Sequence, residues 1–271
     1  MLAKNNTNLN KQKEKAMLQT KPTEQLMGVT IQGDYNDFSD LVDSIYSMTG
    51  LEDDPSDYFY GVKNRLLGLC YDIRHAYMGD REVVLQDNGM NSDKMKWHEM
   101  ITPTSNVYYS VNIMFPEAIF VAAAVPRMYI FSSGYYGSNA KRSERNLPPI
   151  PYVNYLRDQA NLNVLSAGIW QALAEAIGNE EMEKIHGIYQ RTDELYMNYV
   201  THFIDKCNIE LYKTEVDKRK DKLKNIAKRI VRKPQAYISM EQNLRYCAIE
   251  YKTSIYELHD PKLEYPEEIE W

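Results

Sequence analysis

Residues 28–50 read GVTIQGDYNDFSDLVDSIYSMTG, and the change of period inside this stretch decides the fold class. Val29 and Ile31 alternate between Gly28 and Gly33, the pattern of a short strand with one buried face that closes in a turn. Beyond the turn, Phe38, Leu41, Val42 and Ile45 recur three and four apart. That spacing predicts an amphipathic helix with Asn36 or Asp37 as its cap and Gly50 as the left-handed residue past its end. A strand that runs straight into a helix needs other elements to cover both apolar faces.

The flanking sequence supplies them. Asp54 as cap and Pro55 in the first turn open a second helix, whose apolar face is Val62, Leu66, Leu69, Cys70, Ile73 and Tyr77 and whose end is Gly79. REVVLQDNG (81–89) reads as a strand entering an Asn-Gly turn, and NVYYSVNIMF (106–115) as another strand. The segment around Trp97 and His98 fits neither period. Pro116 and Glu117 begin an apolar helix, AIFVAAAV, which Pro126 is expected to end or kink. On the other side, residues 1–26 are rich in Asn, Lys, Gln and Thr and hold no period, as expected of a flexible arm, with order beginning at Met27.

Residues 134–151, GYYGSNAKRSERNLPPIP, read as a long loop. Helical stripes follow: Val153, Leu156, Ala160, Leu165, Ile169, Leu173 and Ala176 before Gly178, then Ile185, Tyr189, Leu195, Tyr196, Tyr199, Phe203 and Cys207. A third stripe, Val216, Leu223, Ile226, Ala227 and Ile230, precedes Pro234. A further Tyr-rich helical segment runs through Leu258 into an acidic tail, DPKLEYPEEIEW. The chain thus divides into a flexible arm (1–26), an α+β region (27–133), a long loop (134–152), a helical region (153–259) and an acidic tail (260–271). The fold class is α+β: a small antiparallel sheet with covering helices in the N-terminal half, and a helical C-terminal half.

With 271 residues, 44% hydrophobic and 26% charged, the chain has globular proportions, and whole-chain disorder is excluded. Twenty-two Tyr against six Phe point to half-buried rings with their hydroxyls at water or a polar partner, as at interfaces. Cys70, Cys207 and Cys247 are odd in number and far apart, so neither a disulfide framework nor a zinc ribbon is expected, and a reducing compartment fits. No signal peptide and no run of eighteen apolar residues is found, which predicts a cytoplasmic protein without a membrane partner.

Charge is distributed unevenly. Between Lys213 and Lys233, ten Lys and Arg face three carboxylates in a chain of formal net charge −6. On the predicted basic helix, Lys218, Lys220, Lys222, Lys224, Lys228, Arg229, Arg232 and Lys233 form a candidate anion-binding surface. Lys141, Arg142 and Arg145 of the long loop, beside Tyr135 and Tyr136, extend it into an aromatic-basic mixture found on nucleic-acid surfaces. An acidic protein or the chain's own acidic tail is the favoured partner. Nucleic acid is a weaker one, since the pI is near 5.5, and a homo-oligomer stays open.

One helix face gathers Gly61, Gly68, Asp72 and His75, opposite the Leu66/Cys70/Ile73 stripe. Two glycines seven apart leave room for a backbone or a ligand, and a carboxylate beside an imidazole can orient a general base. Asp80 and Arg81 follow Gly79 directly and complete the set of catalytic candidates. The plainer expectation is that Asp72 pairs with Arg65, Arg74 or His75 at a helix contact, and that Asp80, Arg81 and Glu82 make up a charged helix-to-strand connection. Asp72-x-x-His75 and Glu183-x-x-His186 have the spacing of dimetal bundles, but neither pair lies on its helix's apolar side. No metal or cofactor is expected, and no nucleophile-elbow, phosphate-loop or dinucleotide motif is present.

The stretch 28–50, together with RLLGLCYDIRHAYMGDREVVLQDNGM (65–90), resembles a bacterial family known only as a domain of unknown function. The likeness covers roughly residues 28–120 and implies a cytosolic bacterial or mobile-element protein, with no catalytic residue to carry over. The leading expectation is an interaction protein that uses its basic amphipathic helix and Tyr-rich surfaces. The alternative is a hydrolase acting on a phosphate-containing substrate through Asp72 and His75.

Overall fold

In the computed structural model the described residues are 18–50, 60–137, 149–192, 200–258, 260–261 and 263–271. The opening strand and helix fall where their periods place them, as β2 (Gly28–Gly33) and α1 (Tyr35–Thr49). The cap of α1 is Asp34 in place of Asn36 or Asp37. Its carboxylate accepts from the Asp37 amide while the Asp37 carboxylate accepts from the Asp34 amide, a reciprocal capping box. Gly50 has φ 72°, and a Cβ there would meet the Tyr135 ring at 2.5 Å.

The sheet is antiparallel, in the order β1-β2-β4-β3, with β3 at Glu82–Asp87 and β4 at Ser105–Met114. β1 (Gln19–Pro22) lies inside the stretch expected to be a flexible arm. Its four residues are too few to show a period; they pair with β2, and the segment around Gly168 clamps them from far along the chain. The Thr20 hydroxyl donates to the Gly168 carbonyl at 2.8 Å, and a Cβ on Gly168 would strike Thr20 at 2.7 Å. Residues 1–17 of that arm, the Asp54 and Pro55 cap, Lys141, Arg142 and Arg145, and Leu195, Tyr196 and Tyr199 of the second stripe lie outside the described residues.

Helices cover one face of the sheet. α2 (Tyr60–His75) ends in a single π turn, 76–80, where Gly79 takes φ 92°. The unassigned segment between β3 and β4 contains α3 (Ser92–Trp97). α4 (Phe115–Ser132) is the central core helix and continues through Pro126 for six more residues, so Pro126 does not end it. It meets the length and apolarity of a membrane span, yet 72% of that span is buried inside the protein.

α5 (Tyr152–Ile177) packs on α4, α1 and β1. Its first turns bury Tyr155, Asp158 and Leu162, whereas Val153, Leu156 and Ala160 of the expected stripe are exposed. The reason is a polar cluster: Asp158 accepts from Tyr136 at 2.9 Å and from Ser44 at 3.1 Å. α6 (Asn179–Gln190), α7 (Val200–Tyr212), α8 (Val216–Ile230) and α9 (Gln235–Tyr251) complete the helical half. The tail crosses the other face of the sheet, where Trp271 packs so closely that a Cβ on Gly28 would lie 2.8 Å from its ring.

Candidate functional site

Asp72 and His75 are paired with other residues. Arg81 Nη2 donates to Asp72 Oδ1 at 2.8 Å, and His75 Nδ1 lies 2.8 Å from Asp80 Oδ2, because the π turn brings residues 80 and 81 back onto the last turn of α2. All four side chains are between 34% and 59% exposed, in the range where an ion pair contributes under about 1 kcal/mol. Asp72 and Arg81 line a cleft of about 500 Å³ with Ser110, Asn112 and the tail residues Glu267 and Trp271; His75 is not in its wall. Glu183 and His186 are exposed on α6.

The basic helix, α8, is largely neutralised from within. Lys222 and Arg229 donate to Glu210 of α7 at 3.0 and 2.6 Å, Lys228 to Glu181 of α6 at 2.8 Å, and Lys224 to Asp221 at 2.7 Å. Lys218 is bonded to Glu215. Lys184 and Lys228 hold Glu181 down to about 2. Arg219 is buried in the place where the stripe put Val216, which is exposed, and Glu270 of the tail acts on it. Lys220, Arg232 and Lys233 remain exposed. Tyr135 and Tyr136, expected on an aromatic-basic surface, are buried: Lys63 donates to Tyr135 Oη at 3.2 Å, and Tyr136 bonds Asp158.

The richest chemistry lies where α2, α4, α7 and the tail meet. A cleft of about 460 Å³ there is lined by Tyr60, Asn64, Arg65 and Gly68 of α2, Glu117 of α4, and His202 and Asp205 of α7. Tyr256, Asp260 and Tyr265 close its far side. Gly68 opens it, since a Cβ there would meet nothing within 4 Å; the glycine face read from the sequence does border a hollow. Arg65 Nη2 donates to Asp205 Oδ1 and to the Thr201 carbonyl, each at 2.7 Å, and Arg65 Nη1 lies 3.5 Å from Glu117 Oε2. Burial opposes the charge of Arg65, but the two carboxylates outweigh it and raise its pKa.

Tyr265 Oη donates to Asp205 Oδ1 at 2.6 Å and accepts from Asn208 Nδ2 at 2.8 Å. Burial and the Asp205 charge push its phenol up. His202 Nε2 is 3.1 Å from the Leu258 carbonyl, an acceptor, so that nitrogen carries the proton. Tyr60 and Tyr256 stand with ring centroids 4.4 Å apart. Glu117 is loosely held: burial raises its pKa, Arg65 lowers it less, and its one ion-pair contact among the described residues is the 3.5 Å approach of Arg65.

Sequence reasoning offered Arg65 only as a partner for Asp72 and passed over Glu117 and Asp205, because the three come from three helices and form no local motif. The available signal was Glu117 itself, a lone charge at the head of the apolar run FPEAIFVAAAV. What the fold and cleft define is an α+β protein with a tyrosine-lined, acid-rich hollow between its helical half and its tail. The chain belongs to the family described as Domain of unknown function (DUF6904), whose profile matches residues 18–271. No curated protein and no solved structure matches it.

Proposed function

We propose that this is an interaction protein that takes a cationic group, the Lys or Arg side chain of a protein partner, into the cleft around Arg65. The observation that carries this reading is Glu117, a mostly buried carboxylate whose single ion-pair contact among the described residues is long. An incoming cation within about 4 Å would supply the counter-charge that burial makes costly to lack. Glu117 and Asp205 face one cation, Arg65, among the lining residues, and tyrosine faces attract cations further. A hydrolase centred on Asp72 and His75 would need those two to meet, and each is bonded elsewhere. The free state of Cys70, Cys207 and Cys247 and the family resemblance support a cytosolic, bacterial or mobile-element setting.

The test is calorimetric titration with a Lys-rich and a Glu-rich peptide of equal length at two salt concentrations. Binding of the Lys-rich peptide alone, weakened by salt and at least about tenfold weaker in Glu117→Gln, is expected. Equal binding of both peptides, or none of either, would overturn the reading.

A further inference from the structure

We propose that the free edge of β3 pairs with β3 of a second copy of this chain, joining two four-stranded sheets across a two-fold axis at Val84. Three observations lead there. β3 is the last strand in the sheet order, so among the described residues one row of its backbone amides and carbonyls has no strand beside it. It is six residues long and has no proline, glycine or lysine to blunt that edge.

The second observation is the sheet face. Val29 pairs with Ile113 and Ile31 with Val111, and these four form the buried inner face. Paired residues share a face, and alternate residues along a strand return to it. The Val83–Tyr109 and Leu85–Val107 pairs therefore continue this same face. Here the helical layer has stopped: Leu85 is 68% exposed, and Val83 and Val107 are nearly half exposed. An inner sheet face left open beside an unpaired edge is where another strand would dock.

The third is charge and register. A symmetric antiparallel pairing centred on Val84 sets Val83 opposite Leu85, Glu82 opposite Gln86, and Arg81 opposite Asp87, each twice. The apolar faces of the two copies then coincide, and opposite charges close both ends. A slip of one residue would oppose Glu82 to Asp87 and turn one copy's apolar face against the other's polar one. The chosen register also carries the β3–β4 connection of one copy, with Trp97 and the 98% exposed Ile101, toward exposed Met78 of the other.

The experiment is sedimentation velocity of the full chain over a hundredfold concentration range, with circular dichroism to check folding. A concentration-dependent dimer is expected. Leu85→Lys, at an exposed position that leaves the fold intact, should abolish it. Asp87→Arg, which opposes arginines at both ends, should weaken it about tenfold, as two like-charge pairs predict. Arg81→Asp should weaken it similarly. Mixing those two single variants recreates both opposite-charge pairs and should restore a heterodimer. A chain that stays monomeric throughout, a dimer indifferent to Leu85→Lys, or a mixture that fails to re-form would each overturn the proposal. So would a monomer that shifts only when an unrelated extended peptide is added, which would assign the edge to a different partner.

Discussion

Ser166 Oγ donates to the carbonyl of Ala122 at 2.8 Å, and that carbonyl is the one Pro126 leaves without its helical donor, four residues on. Tyr189 Oη donates to the neighbouring carbonyl of Ala123, at 3.0 Å. A hydroxyl from α5 thus replaces a missing backbone amide, and α4 runs through its proline to Ser132.

Ser166→Ala is expected to destabilise the protein by about 1–2 kcal/mol, because it strands a buried carbonyl. In a Pro126→Ala background the helix regains its own donor, and the same substitution should cost less. A urea-denaturation double-mutant cycle reads the difference as a coupling of about 1 kcal/mol. Equal cost in both backgrounds would show that the hydroxyl serves something else.

Asp37 sets a pH dependence. Burial, partly offset by the Asp34 amide, raises its carboxyl to about 6 in the folded chain. The folded state therefore binds more protons than the unfolded state between about pH 4 and 6, and stability falls as pH rises through that window. Because the group is partly solvated, the loss is on the order of 1 kcal/mol after screening. Asp37→Asn, which keeps an oxygen for the Asp34 amide, should flatten melting temperature against pH across this range and stabilise the protein at pH 7.

Arg65 and Asp72 should behave oppositely. Arg65→Met leaves Asp205 and Glu117 without their cation, and a loss of about 3 kcal/mol or more is expected. Asp72→Ala removes a half-exposed pair, and under about 1 kcal/mol is expected. Chemical denaturation of the two variants side by side checks the ranking, and comparable losses would mean that the pair at Arg81 is far better shielded than its exposure indicates.

What the sequence made legible was whatever a local period could carry. β2, α1, the apolar face of α2, and the Leu223/Ile226/Ile230 stripe of α8 all stand where their spacing placed them. The misreadings share a physical cause, a partner far along the chain. Pro126 read as a break because its remedy, Ser166, is forty-four residues from the carbonyl it serves. β1 is the exception: its partner β2 lies nearby, and its four residues are too few to show a period. The start of α5 was read on the wrong face because its buried positions are Tyr155 and Asp158, polar residues satisfied by the Tyr129 carbonyl and by Tyr136 and Ser44 respectively. Within the site, Gly68 was visible as a gap in a helix face, whereas the Arg65–Asp205 contact spans 140 residues.

The uneven anchoring of the sheet implies a gradient of persistence. β2 lies between two neighbours with Val29 and Ile31 sealed in the core, so its amide protons should exchange with solvent only when the whole molecule opens. In the monomer β3 has one neighbour and an exposed apolar face, and at concentrations that keep the chain monomeric its amides should exchange through local fraying at a much lower free energy. Hydrogen–deuterium exchange would then find the most durable and the most transient strands of this protein in one sheet, with β4 between them bridging the two regimes.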